Sequence, residues 1–130
     1  MQQLMVYLHQ LARQSPDHQE NWLDQTRDLL SQHLDKRIKT QQVAEQVGMT
    51  YASFRKRFVD ATGISPGQFR IRQRIQQAQE QLADTQLPIA KIAASLGYPD
   101  VYNFTAQFAR YAGMPPGQYR KLWQWNSTIK

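Results

Sequence analysis

The sequence predicts an all-α domain carrying two helix-turn-helix units with a long helix between them. Three observations predict it. Apolar residues recur at helical spacing along most of the chain. Glycine and proline fall at the ends of those periodic segments. The stretch 43–70 repeats as 92–120.

The elements follow in chain order. Leu4, Tyr7, Leu8 and Leu11 share one face of a short helical stretch over 4–12. Ser15 is placed to cap and Pro16 to occupy the first position of a second helix. Trp22, Leu23, Leu29, Leu30 and Leu34 continue its apolar stripe to about Lys36. A short helix over 41–47 is expected, with Thr40 as its cap, and Gly48-Met49-Thr50 breaks it. Thr50 caps a helix over 51–62, which Gly63 ends. Ser65-Pro66 opens a long helix to about Ala83, and Pro88 starts another over 89–95. After the turn at Gly97-Tyr98-Pro99-Asp100 a helix covers 101–112. Gly113 closes it, and Pro115-Pro116 begins a last short helix. Trp123 and Trp125 follow in a tail, where they are expected to cover the core.

The repeat is the strongest signal. Ala44, Gly48, Phe54, Phe58, Gly63, Pro66, Gly67, Gln68 and Arg70 recur as Ala93, Gly97, Phe104, Phe108, Gly113, Pro116, Gly117, Gln118 and Arg120. The offset is 49 up to Gly97 and 50 from Phe104, so one extra residue lies in or beside the second turn. A loop absorbs an insertion at least cost. In each unit a glycine supplies the bend between two helices. Two phenylalanines at i and i+4 then fix which face of the second helix points inward. Two copies are too few for a solenoid, which needs about three or more repeats.

Composition and charge narrow the function. The 130 residues include no cysteine, which removes disulfides, thiolate metal sites and a cysteine nucleophile. His9, His18 and His33 have no ligand-spaced partners, so no metal is expected, nor any cofactor. No apolar run reaches the ~18 residues of a membrane span and no secretion signal is present, so a cytoplasmic protein is expected. Residues 1–35 hold two basic and five acidic residues, a net of −3; residues 36–130 hold fourteen and five, a net of +9. Nine of those basic residues fall within 36–74, against two acidic ones. A folded segment so basic favours a polyanion, and nucleic acid is the common one.

The second unit, with Ile89-Ala90, Ile92-Ala93, Gly97-Tyr98, Phe104, Phe108, Gly113, Pro116 and Tyr119-Arg120, resembles the signature of the AraC/XylS family of transcription regulators. The resemblance covers about 24–122, the DNA-binding domain of that family. It implies seven helices, with the helix at about 66–83 joining the two units, and it implies that the second helix of each unit enters the major groove. Residues 21–125 then form the double helix-turn-helix domain. Residues 1–20 are a linker or the remnant of an upstream sensory, effector-binding and dimerising domain, and 126–130 a tail. The implied partners are double-stranded DNA and RNA polymerase, with no membrane and no enzymatic activity.

The repeat also orders the candidate contacts. At about 100° per residue, Phe54, Phe58 and Ala61 fall on the inner side of the first unit's second helix. Ala52, Ser53, Arg55 and Lys56 fall on its outer first turns, where a recognition helix reaches bases. Arg55 or Lys56 suits guanine O6 and N7, and Ala52 a thymine methyl. Arg57, nearer the core flank, suits phosphate or an ion pair. In the second unit Phe104, Phe108 and Tyr111 point inward, while Val101, Tyr102, Asn103, Thr105 and Ala106 point outward. The family often has arginine where this chain has Ala106, which weakens guanine readout there. Arg70, Arg72 and Arg74 alternate along the central helix, so one or two are expected at phosphate and another beside an acid. Thr40, Gln41 and Ser65 sit at helix N-termini, where caps and phosphates are both favoured.

Sequence-specific DNA binding for transcription control is therefore the expected function. A DNA-binding module of a repair enzyme is a competing reading, which the missing cysteine disfavours. A helical protein-interaction domain that keeps the fold without DNA readout is another, but it need not hold nine basic residues in 36–74.

Overall fold

A computed structural model describes residues 16–128, and among them the chain forms seven helices and no strand. They are α1 (Pro16–Leu30), α2 (Thr40–Gln46), α3 (Tyr51–Thr62), α4 (Pro66–Asp84), α5 (Ile89–Ser95), α6 (Val101–Ala112) and α7 (Pro116–Thr128). The helix expected at 4–12 and the cap expected at Ser15 lie outside the described residues. The chain packs as two units. One comprises the described residues to Gln32 with Lys39–Pro66; the other comprises His33–Ile38 with the described residues from Gly67.

Three expectations are corrected at the ends of elements. The second helix of the sequence reading stops at Leu30 rather than near Lys36, and His33 takes a positive φ of 52° in the turn that follows. Leu34 is still buried, but a turn carries it. Apolar spacing alone continues through a turn that happens to bury its leucine. Thr40 is the first residue of α2 rather than its cap; Lys39 holds the cap position and makes no side-chain bond there. The last helix is not short. It runs 13 residues, through Trp123 and Trp125, because nothing between Pro116 and Thr128 breaks it. The boundaries expected at 20/21 and 125/126 accordingly both fall inside helices.

In the first unit Phe54 and Phe58 are fully buried, with ring centroids 6.3 Å apart, and Trp22 of α1 meets Phe54 edge-on at 6.2 Å. Val43 and Ala44 of α2 are buried with them. Burying each ring stabilises by about 2–3 kcal/mol, so these rings set the inward face of α3. The second unit repeats the pattern on a larger core. Ile75, Ala78 and Leu82 of α4, Ile92 and Ala93 of α5, Leu96, and Phe104 and Phe108 of α6 form one buried cluster. Tyr98 meets Phe104 edge-on at 5.1 Å, and Tyr119 meets Phe108 edge-on at 5.6 Å.

The two turns are built alike. Gly48 and Gly97 have φ of 73° and 84°, and the next residue's amide bonds back to Ala44 or Ala93. Thr50 and Asp100 then cap α3 and α6, accepting from the amides of Ser53 and Asn103 at 3.3 and 2.7 Å. The glycines are 49 apart and the caps 50, so the extra residue lies between Gly97 and Asp100.

Candidate nucleic-acid interface

Each unit presents the first turns of its second helix to solvent because the phenylalanines behind them are locked in. On α3, Ala52, Ser53, Arg55 and Lys56 are all exposed. Ala61, expected inside, is exposed as well. Its place on the inner flank belongs to Arg57, whose guanidinium lies 4.0 Å over the Trp22 ring. An indole face is thus one partner of Arg57, and the contact ties α3 to α1.

On α6, Tyr102, Asn103 and Ala106 are exposed, Tyr102 to 82%. Val101 and Thr105 are half-buried instead of fully outward, and Tyr111 packs partly against the core as expected. Asn103 is held by the cap: its Nδ2 donates to the second carboxylate oxygen of Asp100 at 3.1 Å. Its remaining side-chain atom is an acceptor. The two reading faces therefore differ in chemistry, cationic on α3 and aromatic, methyl and amide on α6.

The three central arginines divide into two that brace a turn and one that is exposed. Arg70 and Arg74 are one helical turn apart and share a face of α4, while Arg72 points away and is exposed. Arg70 is 3% exposed and donates to the carbonyls of His33 and Lys36, both at 3.0 Å. Arg74 donates from Nε to Leu34 at 2.8 Å and from a terminal nitrogen to Lys36 at 3.3 Å. These carbonyls come from a turn, where the backbone lacks helical partners and needs donors from elsewhere. Burial lowers the pKa of both guanidiniums, and each gains a further lowering from a neighbouring arginine: Arg74 beside Arg70, and Arg37 beside Arg74. Of the helix-start residues, Thr40 is half-buried and Gln41 exposed.

Sequence reasoning missed one feature of the second unit. A cleft of about 540 Å³ runs beside α6, lined by Asn103, Ala106, Gln107 and Arg110 of that helix together with Arg37 and Arg74. Arg110 was legible in principle, four residues beyond Ala106 on the same face. Arg37 had no local signal, since its position depends on the folding of the 33–38 turn. Tyr98 also lines the cleft and its hydroxyl donates to Gln107. Burial pushes the Tyr98 hydroxyl's pKa up, against the opposing pull of Arg74.

Trp123 and Trp125 do not cover the core. They are 47% and 64% exposed, with Trp123 against the Tyr119 ring at 5.8 Å. Among the described residues no cluster of histidine and carboxylate side chains could hold a metal, and no helix is long and apolar enough to cross a membrane.

Two short helix-turn-helix units, each capped, glycine-bent and anchored by a phenylalanine pair, define the class of domain. A family model described as a helix-turn-helix domain matches residues 43–122. The chain belongs to the AraC-type helix-turn-helix family. It is 29% identical over 91 residues to the probable transcriptional regulator LumQ of Photobacterium leiognathi, covering 70% of this chain and 37% of that one. It is 30% identical over 120 residues to the transcriptional activator RhaR of Klebsiella pneumoniae, covering 91% of this chain and 43% of that one. The chain thus spans less than half the length of these two relatives. The DNA-binding domain of AdpA, solved in complex with a target DNA, superposes with a TM-score of 0.72 at 26% identity, covering 80% of this chain and 94% of that one.

Proposed function

We propose that this chain binds double-stranded DNA sequence-specifically to regulate transcription, with α3 and α6 as recognition helices in two successive major grooves. The observation that carries this reading is the duplicated exposed first turn. On both helices a buried phenylalanine pair leaves the N-terminal turns facing solvent, and α3 bears Arg55 and Lys56 there. Ala52 and Ser53 complete the reading face of α3, and Tyr102, Asn103 and Ala106 form that of α6, with Val101 and Thr105 at its edge. Arg57 and Arg74 act by holding structure, and Arg72 is left for phosphate. The likeness to AdpA, whose domain was solved on its target DNA, supports the same reading. In the full-length protein an upstream effector-binding or dimerising domain and RNA polymerase are the further partners, and the site of action is the cytoplasm.

Selection of bound duplexes from a random pool tests this directly. A single enriched motif is expected, bound with a strong salt dependence. Neutralising roughly six phosphates gives a slope of log affinity against log salt near −5. A slope near zero, or no enrichment, overturns the reading.

A further inference from the structure

The second unit faces a difficulty that its cleft resolves. The reading turns of α6 carry no cation, so little of its affinity can come from the helix face itself. Three arginines nevertheless line the cleft beside it. Arg110 lies on the last turn of α6, in line with Asn103 and Ala106, and Arg37 and Arg74, from outside that helix, line the same cleft. Among the described residues no aspartate or glutamate lines this cleft. Arg74 already gives its Nε and a terminal nitrogen to backbone carbonyls, so it contributes charge more than free donors. Arg37 and Arg110 are both exposed residues. Burial lowers the pKa of Arg74, and the nearby charge of Arg37 lowers it further.

A recognition helix whose first turns reach base edges carries its last turn toward the sugar-phosphate strand. Ala106 to Arg110 is about 6 Å along the axis, close to the 5.4 Å of one turn. We propose that this cleft seats a phosphate group of the DNA backbone, with Arg37 and Arg110 both donating to it. The inference rests on the DNA-binding reading and gives α6 its own anchor: the helix reads bases with uncharged groups while cations beside it hold the strand. Guanidinium forks match phosphate oxygens in pairs, which also fixes the register of α6 on the duplex.

The test uses the whole chain and the duplex selected from the random pool. Arg37→Gln and Arg110→Gln should each weaken binding about tenfold on every duplex and make the salt slope shallower by about one. Base preference should not change, and Arg→Lys at either position should restore the slope. Duplexes with a methylphosphonate at single positions should lose affinity for the wild-type chain at one phosphate, and that loss should vanish in the two variants. Circular dichroism confirms that the variants are folded. Equal methylphosphonate losses in wild type and variants at every position would overturn the proposal, as would a change in base preference. Inorganic phosphate or pyrophosphate binding at micromolar concentration, lost in both variants, would overturn it in favour of a free phosphate ligand. A wild-type chain that binds no duplex would instead defeat the DNA-binding reading itself.

Discussion

Arg70 and Arg120, fifty positions apart, make the same kind of bond. Arg70 donates to the carbonyls of His33 and Lys36, and Arg120 donates from Nε to that of Leu82 at 3.1 Å. One turn later the pattern recurs: Arg74 reaches Leu34 and Lys36, and Gln124 reaches Leu82 and Thr85. In each repeat the helix after the helix-turn-helix sends two side chains to carbonyls of the segment that precedes it. For Leu82 that segment is the end of α4, where the last carbonyls have no helical donor. The duplication therefore extends beyond the two-helix unit to the brace behind it.

Removing that brace should cost stability before it costs recognition. Arg70→Ala deletes two bonds from a charged donor in a site 3% exposed. A loss of about 2–3 kcal/mol is expected. Arg120→Ala removes its bond to Leu82 and should cost about 1–2 kcal/mol. Arg70→Lys should not recover the loss, since an ammonium lacks the fork. Urea unfolding monitored by circular dichroism measures all three, and wild-type midpoints would show the bonds to be without consequence.

The two recognition helices should contribute unequally to specificity. A cation paired with guanine discriminates by about 1–3 kcal/mol. Lys56→Ala or Arg55→Ala should therefore cost at least about 1 kcal/mol and relax preference in one half-site. Tyr102→Ala should cost less and shift preference in the other half-site, although the residue is 82% exposed. Titrations of the variants on one selected duplex at one salt concentration settle the ranking. Loss of all binding in Tyr102→Ala with silent Lys56→Ala and Arg55→Ala would reverse it.

Gly48 and Gly97 occupy equivalent turns but should not tolerate alanine equally. Both need a left-handed φ, which costs a residue with a Cβ about 1–2 kcal/mol. At Gly48 that Cβ would meet nothing within 4 Å. At Gly97 it would run into the backbone carbonyl of Asp35. Gly97→Ala should thus cost about 1–3 kcal/mol more than Gly48→Ala. Equal denaturation midpoints for the two variants would contradict the close approach of the 33–38 turn.

One monomer should protect about two helical turns of DNA, roughly 20 base pairs, because successive major grooves on one face lie about 34 Å apart. Hydroxyl-radical cleavage on the selected duplex reads this. Protection confined to one groove would mean that a single unit docks.

The sequence by itself determined the seven helices among the described residues, the two turns and the buried phenylalanine pairs of the recognition helices. Those follow from spacing within one helix: Phe54 and Phe58, or Phe104 and Phe108, sit four apart and bury together whatever else surrounds them. The turn glycines and the cap at Thr50 are equally local. The inner flank of α3 was not local, because Ala61 and Arg57 both border it. The presence of Trp22 from α1 decided that the arginine turns in and the alanine out. The end of α1 escaped for a similar reason, since Leu34 keeps the apolar period while its backbone has already left the helix. Tertiary structure alone decided that Arg70 and Arg74 serve carbonyls 34 to 40 residues away. It alone brought Arg37 to the same cleft as Arg110. A backbone acceptor leaves no mark in side-chain periodicity, so which arginines brace the fold is settled only when the chain has closed on itself.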